Sequence, residues 1–362
     1  MRSTFVAPVL LIATLACSDS TPGTDEGNAP TETGTSATGT SGDGDGDPSG
    51  DGDGEGEAPL VEDLVFQSGF EPGTEVLDLS PDIGDIVGED LGVAELGDWQ
   101  GDLEGGRFGE FRLYFEGGTQ AEREVAIGVD PDDPDNAVLE YWLRSPNVLI
   151  EDDDDTPCNG FGAGTEDRKA RIQAVLRNNE GLRRIEYRVR ARLDDGFGLL
   201  SGADQPITWL TLAEFWNNLP GEDYSFRVTL NVSKFDAAPN TALTWGLHGQ
   251  TNDGQGWDDV WTHEAEGVPV PIGEWFALHV TLLEGDSSSG YVGIELDYGG
   301  ETHTIIDRSV ETHHPSDPAP DGFRDINPLK LYTSGPLVCG VAAQGSALVV
   351  RWDDFVIGAS AG

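Results

Sequence analysis

Positive charge is what this chain has least of: 20 Lys plus Arg stand against 67 Asp plus Glu in 362 residues, a formal net charge of −47. That deficit excludes nucleic acid and anionic lipid surfaces as default partners, since both repel a polyanion. Cysteine is scarce too, with three in all, an odd number that needs explaining. Long apolar runs are missing beyond the first 16 residues, so no later segment can span a bilayer as a helix. Helical periodicity of convincing length is absent throughout. No Gly-rich phosphate loop and no supported Ser/His/Asp arrangement appears.

The N-terminus does carry a signal. In MRSTFVAPVLLIATLAC, Arg2 precedes an apolar run over 5–16, too short for a transmembrane helix and suited to export. Its end, Thr14-Leu15-Ala16-Cys17, resembles the lipobox of bacterial lipoproteins, with Thr14 where Leu is usual. The resemblance implies cleavage before Cys17, lipidation of that cysteine, and attachment to a membrane at the cell envelope or surface. Ordinary signal cleavage after Ala16 is the rival reading. With Cys17 lipidated, Cys158 and Cys339 remain as an even pair in an oxidising compartment and are expected to form a disulfide; two separate buried thiols are the alternative.

Residues 18–60 are Gly-, Ser-, Thr- and Asp-rich, with too little apolar surface to offset the entropy of ordering, and read as a disordered acidic tether. The 13 acidic residues and one arginine before Leu64 set aside, 54 acidic and 19 basic residues remain, a net charge of −35. Such a domain stays soluble in a salty medium, where the Debye length is short.

From 61 to 362 the pattern is that of one all-β domain. Ile185, Tyr187, Val189, Ala191 and Leu193 alternate with Arg184, Glu186, Arg188, Arg190 and Arg192; Ile172, Ala174 and Leu176 alternate with Arg171, Gln173, Val175 and Arg177. With NNEG between them, these runs read as a hairpin, apolar on one face and Arg-rich on the other. Residues 168–192 hold nine of the chain's 20 Lys plus Arg. Further strands are predicted at 207–216, 226–233, 243–248, 275–283, 291–298, 329–333 and 348–357, separated by Pro/Gly/Asn/Asp turns. Many strands with long irregular insertions predict a two-sheet jelly-roll β-sandwich.

LVFQSGFEPG at 64–73 and VVRWDDFVIG at 349–358 resemble the first and last strands of concanavalin A-like lectin/glucanase domains, whose chain ends pair. PIGEWFALHVTLLEGDSSSGYVGIELD at 271–297 resembles the central strands of polysaccharide lyases on that fold, and NPLKLYTSG at 327–335 their late Lys/Tyr strand. The resemblance implies a curved sheet with a glycan groove. It implies that Arg171, with Gln173, grips a uronate carboxylate, and that His248, Lys330 and Tyr332 are the catalytic residues, Lys330 and Tyr332 on one face with Tyr332 as acid or base. The usual Gln two residues before His248 is Gly246 here, and Lys330 and Tyr332 are separated by Leu331 alone.

Proton abstraction beside a uronate carboxylate requires a group to neutralise the carboxylate, a base and an acid. Arg171, Gln173, Arg188 and Arg190 are the candidate neutralisers, and cross-strand Arg–Glu charge balance is the competing explanation for the Arg face. Two-carboxylate hydrolysis is disfavoured, because LAEFWNN at 212–218 supplies Glu214, Trp216 and Asn218 on one face and no second acid. Glu214 and Trp216 are instead candidate sugar contacts. DPDDPDN at 130–136 and EDDDD at 151–155 carry hard oxygen ligands suited to a structural calcium, or are solvated loops; no cofactor is required. The sequence thus predicts an exported surface protein that engages polysaccharide, as a uronate lyase or as a non-catalytic lectin-like module.

Overall fold

The computed structural model describes residues 63–116, 123–144, 169–252 and 256–361. Cys17, the tether over 18–60, Cys158 and the EDDDD loop lie outside the described residues, so lipidation and the Cys158–Cys339 pairing remain expectations. The described residues all belong to one compact unit, Ala58–Gly362.

Two antiparallel sheets face each other. One has nine strands: β2 (Thr74–Ser80), β3 (Ile83–Gly88), β4 (Glu110–Glu116), β7 (Lys169–Arg177), β9 (Leu210–Asn218), β10 (Phe226–Ser233), β11 (Thr244–Asn252), β12 (Trp257–Ala265) and β16 (Asp325–Ser334). Its spatial order is β12-β11-β10-β9-β16-β7-β4-β3-β2. The other has eight: β1 (Leu64–Ser68), β5 (Arg123–Val129), β6 (Ala137–Leu143), β8 (Arg184–Leu193), β13 (Trp275–Leu283), β14 (Tyr291–Tyr298), β15 (Glu301–Ser309) and β17 (Leu348–Ser360). It runs β15-β14-β13-β8-β17-β6-β5, and β1 pairs with β17. The first and last strands therefore pair, as the resemblance implied, and the architecture is the expected all-β jelly-roll sandwich.

Alternation with a period of two gives each sheet one apolar face, and the two apolar faces form the core. Ile185, Tyr187, Val189, Ala191 and Leu193 of β8 are buried in one core with Ile172, Ala174 and Leu176 of β7 and the inward residues of β9 to β11. Tyr187 bridges the sheets, its ring 6.0 Å from Phe215 and 6.3 Å from Phe355. Burying each large side chain contributes about 1.5–3 kcal/mol, and this continuous layer is the main source of cohesion.

The expected hairpin at 171–192 does not exist. β7 pairs with β4 and β16 in the nine-stranded sheet, whereas β8 pairs with β13 and β17 in the other. NNEG is an arch from sheet to sheet, with Asn178 and Gly181 at positive φ (55° and 63°). The buried Asn179 pins it: its amide donates to the carbonyls of Leu176 and Arg324 at 3.0 and 2.9 Å. Alternation shows which face of a strand is apolar, and both a hairpin and an arch satisfy it. The consequence is large, because the Arg faces of β7 and β8 lie on opposite outer surfaces.

One helix also escaped the sequence pattern. α1 (Gly335–Ala342) starts with a Pro in its first turn, follows β16 directly and is buried along most of its length. GPLVCGVA is apolar all round, so it shows no amphipathic stripe by which to recognise a helix. Cys339 is buried on it.

Candidate functional site

The outer face of the nine-stranded sheet carries a cleft of about 280 Å³ over β7, β16 and β9, lined among others by Arg171, Gln173, Arg177, Glu214, Trp216 and Asn327. Strand register lays these residues out as a grid. At one end, Glu116, Arg171, Tyr332 and Thr211 stand in a row across β4, β7, β16 and β9. At the other end the row is Glu110, Arg177, Asp325 and Trp216. Tyr114, Gln173 and Lys330 lie between them.

A bulge in β16 makes this arrangement. Its register shifts between Ile326 and Leu329 against β7, at Asn327-Pro328. Proline has no N–H to give to a ladder and is tolerated in a central strand at a bulge. The extra residue reverses the alternation, so that Asp325 and Asn327 share the outer face with Lys330 and Tyr332.

The site is anchored by a buried ion cluster. Glu214 is 3% exposed and Lys330 1%, and the Lys330 Nζ donates to Glu214 Oε2. Arg227 donates to Glu214 Oε1 at 2.8 Å and, through Nε, to Gln250 at 2.9 Å. Its guanidinium lies 3.6 Å from the Trp257 ring centroid, and Trp257 meets Trp216 edge-on at 5.3 Å. Burial alone would raise Glu214, but the Lys330 and Arg227 charges outweigh it and hold the carboxyl at about 2. Burial drives Lys330 down to about 8, opposed by the Glu214 charge. Both therefore remain ionised at neutral pH, and with Arg227 they form a floor of one anion held between two cations.

Tyr332 sits among cations. The Arg171 guanidinium is 5.5 Å and the Lys330 Nζ 4.9 Å from its ring centroid, and Trp209 meets it edge-on at 4.8 Å. Burial and then the Glu116 charge push its phenol above the ordinary tyrosine range, while Arg171 pulls it down. Arg171 Nε is 3.3 Å from Glu116 Oε2, leaving the two terminal nitrogens of its fork without a hydrogen bond among the described residues.

Six of the sequence candidates thus converge on one surface: Arg171, Gln173, Glu214, Trp216, Lys330 and Tyr332. His248 shares that face, in register with Thr229 and Glu214, and its Nδ1 lies 3.0 Å from Asp259 Oδ1. It is three strands from Tyr332, about 14 Å across the sheet at the usual inter-strand spacing, and is offset along the strands as well, because its row meets β16 at Asn327. That is too far for the two to handle the same glycosidic bond.

Arg188 and Arg190 do not belong to the site. They lie on the outer face of the other sheet, where Arg190 pairs with Asp353 at 3.0 Å and stacks 4.8 Å from Trp275. Arg184 pairs with Glu186 at 3.2 Å and Arg192 with Asp132 at 2.6 Å, so most of this β8 arginine face is cross-linked to carboxylates. Sequence reasoning missed Arg227, Tyr114, Arg177 and Asn327 as site residues. The signal for Asn327 was present in the Asn-Pro pair, which marks a bulge; Arg227 gave none beyond its outward phase.

Among the described residues, no group of three or more His, Cys, Asp or Glu side chains is arranged to hold a metal ion. In the 130–136 loop, Asp130 accepts from Asn136 and Trp275 at 3.3 and 3.1 Å, while Asp132 is engaged by Arg192.

No family model matches this chain, and no curated protein matches it. Solved structures do. Alginate lyase Aly36B, as a mutant in complex with an alginate tetrasaccharide, is 13% identical with a TM-score of 0.40, covering 82% of this chain and 97% of that one. The alginate lyase of Aplysia kurodai is 9% identical with a TM-score of 0.43, over 72% of this chain and 94% of that one. The endo-β-1,4-glucuronan lyase of Trichoderma reesei is 13% identical with a TM-score of 0.34, over 70% and 96%. The proteins this chain is similar to thus include polysaccharide lyases.

Proposed function

We propose that the protein binds a uronic-acid-containing polysaccharide in the cleft and cleaves it by β-elimination at Tyr332. The observation that carries this reading is the placement of Tyr332 beside Lys330 and in register with Arg171, which lines a cleft rich in hydrogen-bond donors. The two terminal nitrogens of Arg171, without a hydrogen bond among the described residues, suit a carboxylate, with the Gln173 amide on the same strand face. Neutralising the carboxylate makes the adjacent C5 proton acidic.

A single phenol serves both halves of the reaction. As phenolate it takes the C5 proton; the C5–H electron pair becomes the C4–C5 double bond, and the C4–O4 bond breaks. The phenol then gives its proton to the departing O4. Arg171 and, more weakly, Arg227 stabilise the phenolate, and burial and the Glu116 charge oppose it. Turnover is therefore expected to rise with pH on the alkaline side, as the base form becomes populated.

The same burial, by keeping Tyr332 protonated at rest, favours a second reading, a lectin-like module that binds without turnover. Tyr332→Phe distinguishes them. The measurement is ultraviolet absorbance of the new double bond on uronate polymers, with binding followed by calorimetry. A lyase loses its turnover and keeps its affinity. Turnover undiminished by the substitution sinks the assignment of Tyr332, and binding without turnover in the unmodified protein establishes the second reading.

A further inference from the structure

The proton-transfer end of the cleft accounts for Arg171 and leaves Arg177 unused. Both arginines project from the same face of β7 and both line the same cleft. They are six residues apart, about 20 Å at the rise of a β-strand. Gln173 and the buried Val175 lie between them, and Trp216, Leu219 and Pro220 line the cleft as well, around the Arg177 end.

Arg177 is held without being fully used. It donates to the Tyr114 hydroxyl and stacks 5.3 Å from that ring, which fixes its direction. Its carboxylate neighbour, Asp325, is 3.9 Å from Nε, at the limit of an ion pair. Asp325 also accepts the Asn178 backbone N–H at 3.2 Å, so that carboxylate is committed to the arch. One third of the Arg177 side chain is exposed. Polar donors on one strand beside an apolar stretch suit a sugar chain, whose ring faces are C–H and whose edges are polar.

We infer that Arg177, oriented by Tyr114, is a second carboxylate-binding subsite at the far end of the cleft, and that the ligand is an oligouronate long enough to reach both arginines. This rests on the uronate reading of the cleft. One pyranose is far shorter than the separation of Arg171 and Arg177, so a monomer or dimer engages one of them and a longer chain engages both. Two linked contacts raise affinity without altering either one.

The test is calorimetric titration of the full chain carrying Tyr332→Phe, so that oligomers are bound and not cleaved, with size-defined uronate oligomers from dimer upward, alone and combined with Arg177→Gln, Arg177→Lys or Arg171→Gln. Thermal melting of each variant checks the fold. In the Tyr332→Phe background, affinity should step up about tenfold at the length that bridges both sites, the size of one charge-assisted contact. Arg177→Gln should remove that step and leave short oligomers unaffected, and Arg177→Lys should restore part of it. Arg171→Gln should weaken every length. A smooth length dependence, or an equal loss for short and long oligomers in Arg177→Gln, overturns the second subsite and leaves the function standing. Failure of the Tyr332→Phe protein to bind any oligouronate removes both.

Discussion

Replacing Lys330 and Glu214 singly and together tests the account of the cleft floor. The Arg227–Glu214 contact at 2.8 Å has a gross Coulomb energy of about 6 kcal/mol at an effective dielectric of ~20. Removing three charges from water costs several kcal/mol each, so the intact cluster adds little net stability. Breaking it is different. In Lys330→Met, Glu214 keeps Arg227, and the loss should fall at the low end for a broken buried pair, about 3 kcal/mol. In Glu214→Gln, Lys330 and Arg227 remain as two cations without their anion, and the loss should reach about 5 kcal/mol. The double variant removes one of those orphaned cations, so it should cost about 4 kcal/mol rather than the ~8 of the sum. Urea denaturation with a shared slope measures all three. A Lys330→Met loss under about 1 kcal/mol, or additive single effects, would refute the buried cluster as its own counter-charge. The pH sign agrees. Glu214 is depressed from 4.5 to about 2 in the folded state, so its contribution is present above 4.5 and is lost as pH falls through about 2.

Two further outcomes are expected. Arg188→Gln and Arg190→Gln, on the opposite surface, should leave glycan affinity and turnover unchanged, whereas Arg171→Gln should lower affinity about tenfold; parallel losses would contradict the arch. Asp85 and Asp353 are raised from 3.8 to about 6 by burial, so the folded state binds their protons more tightly, and stability should rise as pH falls from 7 toward 5. Asp353, with a side chain 2% exposed, should contribute about 1–2 kcal/mol of that gain, and Asp353→Asn should flatten the melting-temperature profile.

Local alternation marked β7 to β11, β13, β14, β16 and β17 with their apolar faces, enough to predict a sandwich, because a period of two is a property of neighbouring residues; β2 to β6, β12 and β15 were not read from it. It also put Lys330 with Tyr332, and Arg171 with Gln173, on shared faces. Three things lay beyond it. Whether NNEG closes a hairpin or arches between sheets depends on which partner strands β7 and β8 find, 150 residues away in β16 and β17. The sequence run of arginines therefore looked like one patch, and tertiary pairing divided it between opposite surfaces. The phase of Asn327 against Lys330 depends on a bulge at Pro328, which resets the alternation that the outer residues follow. Finally, the Glu214–Lys330–Arg227 cluster joins β9, β16 and β10, so its charges acquire meaning only when those strands are side by side and water is removed from between them.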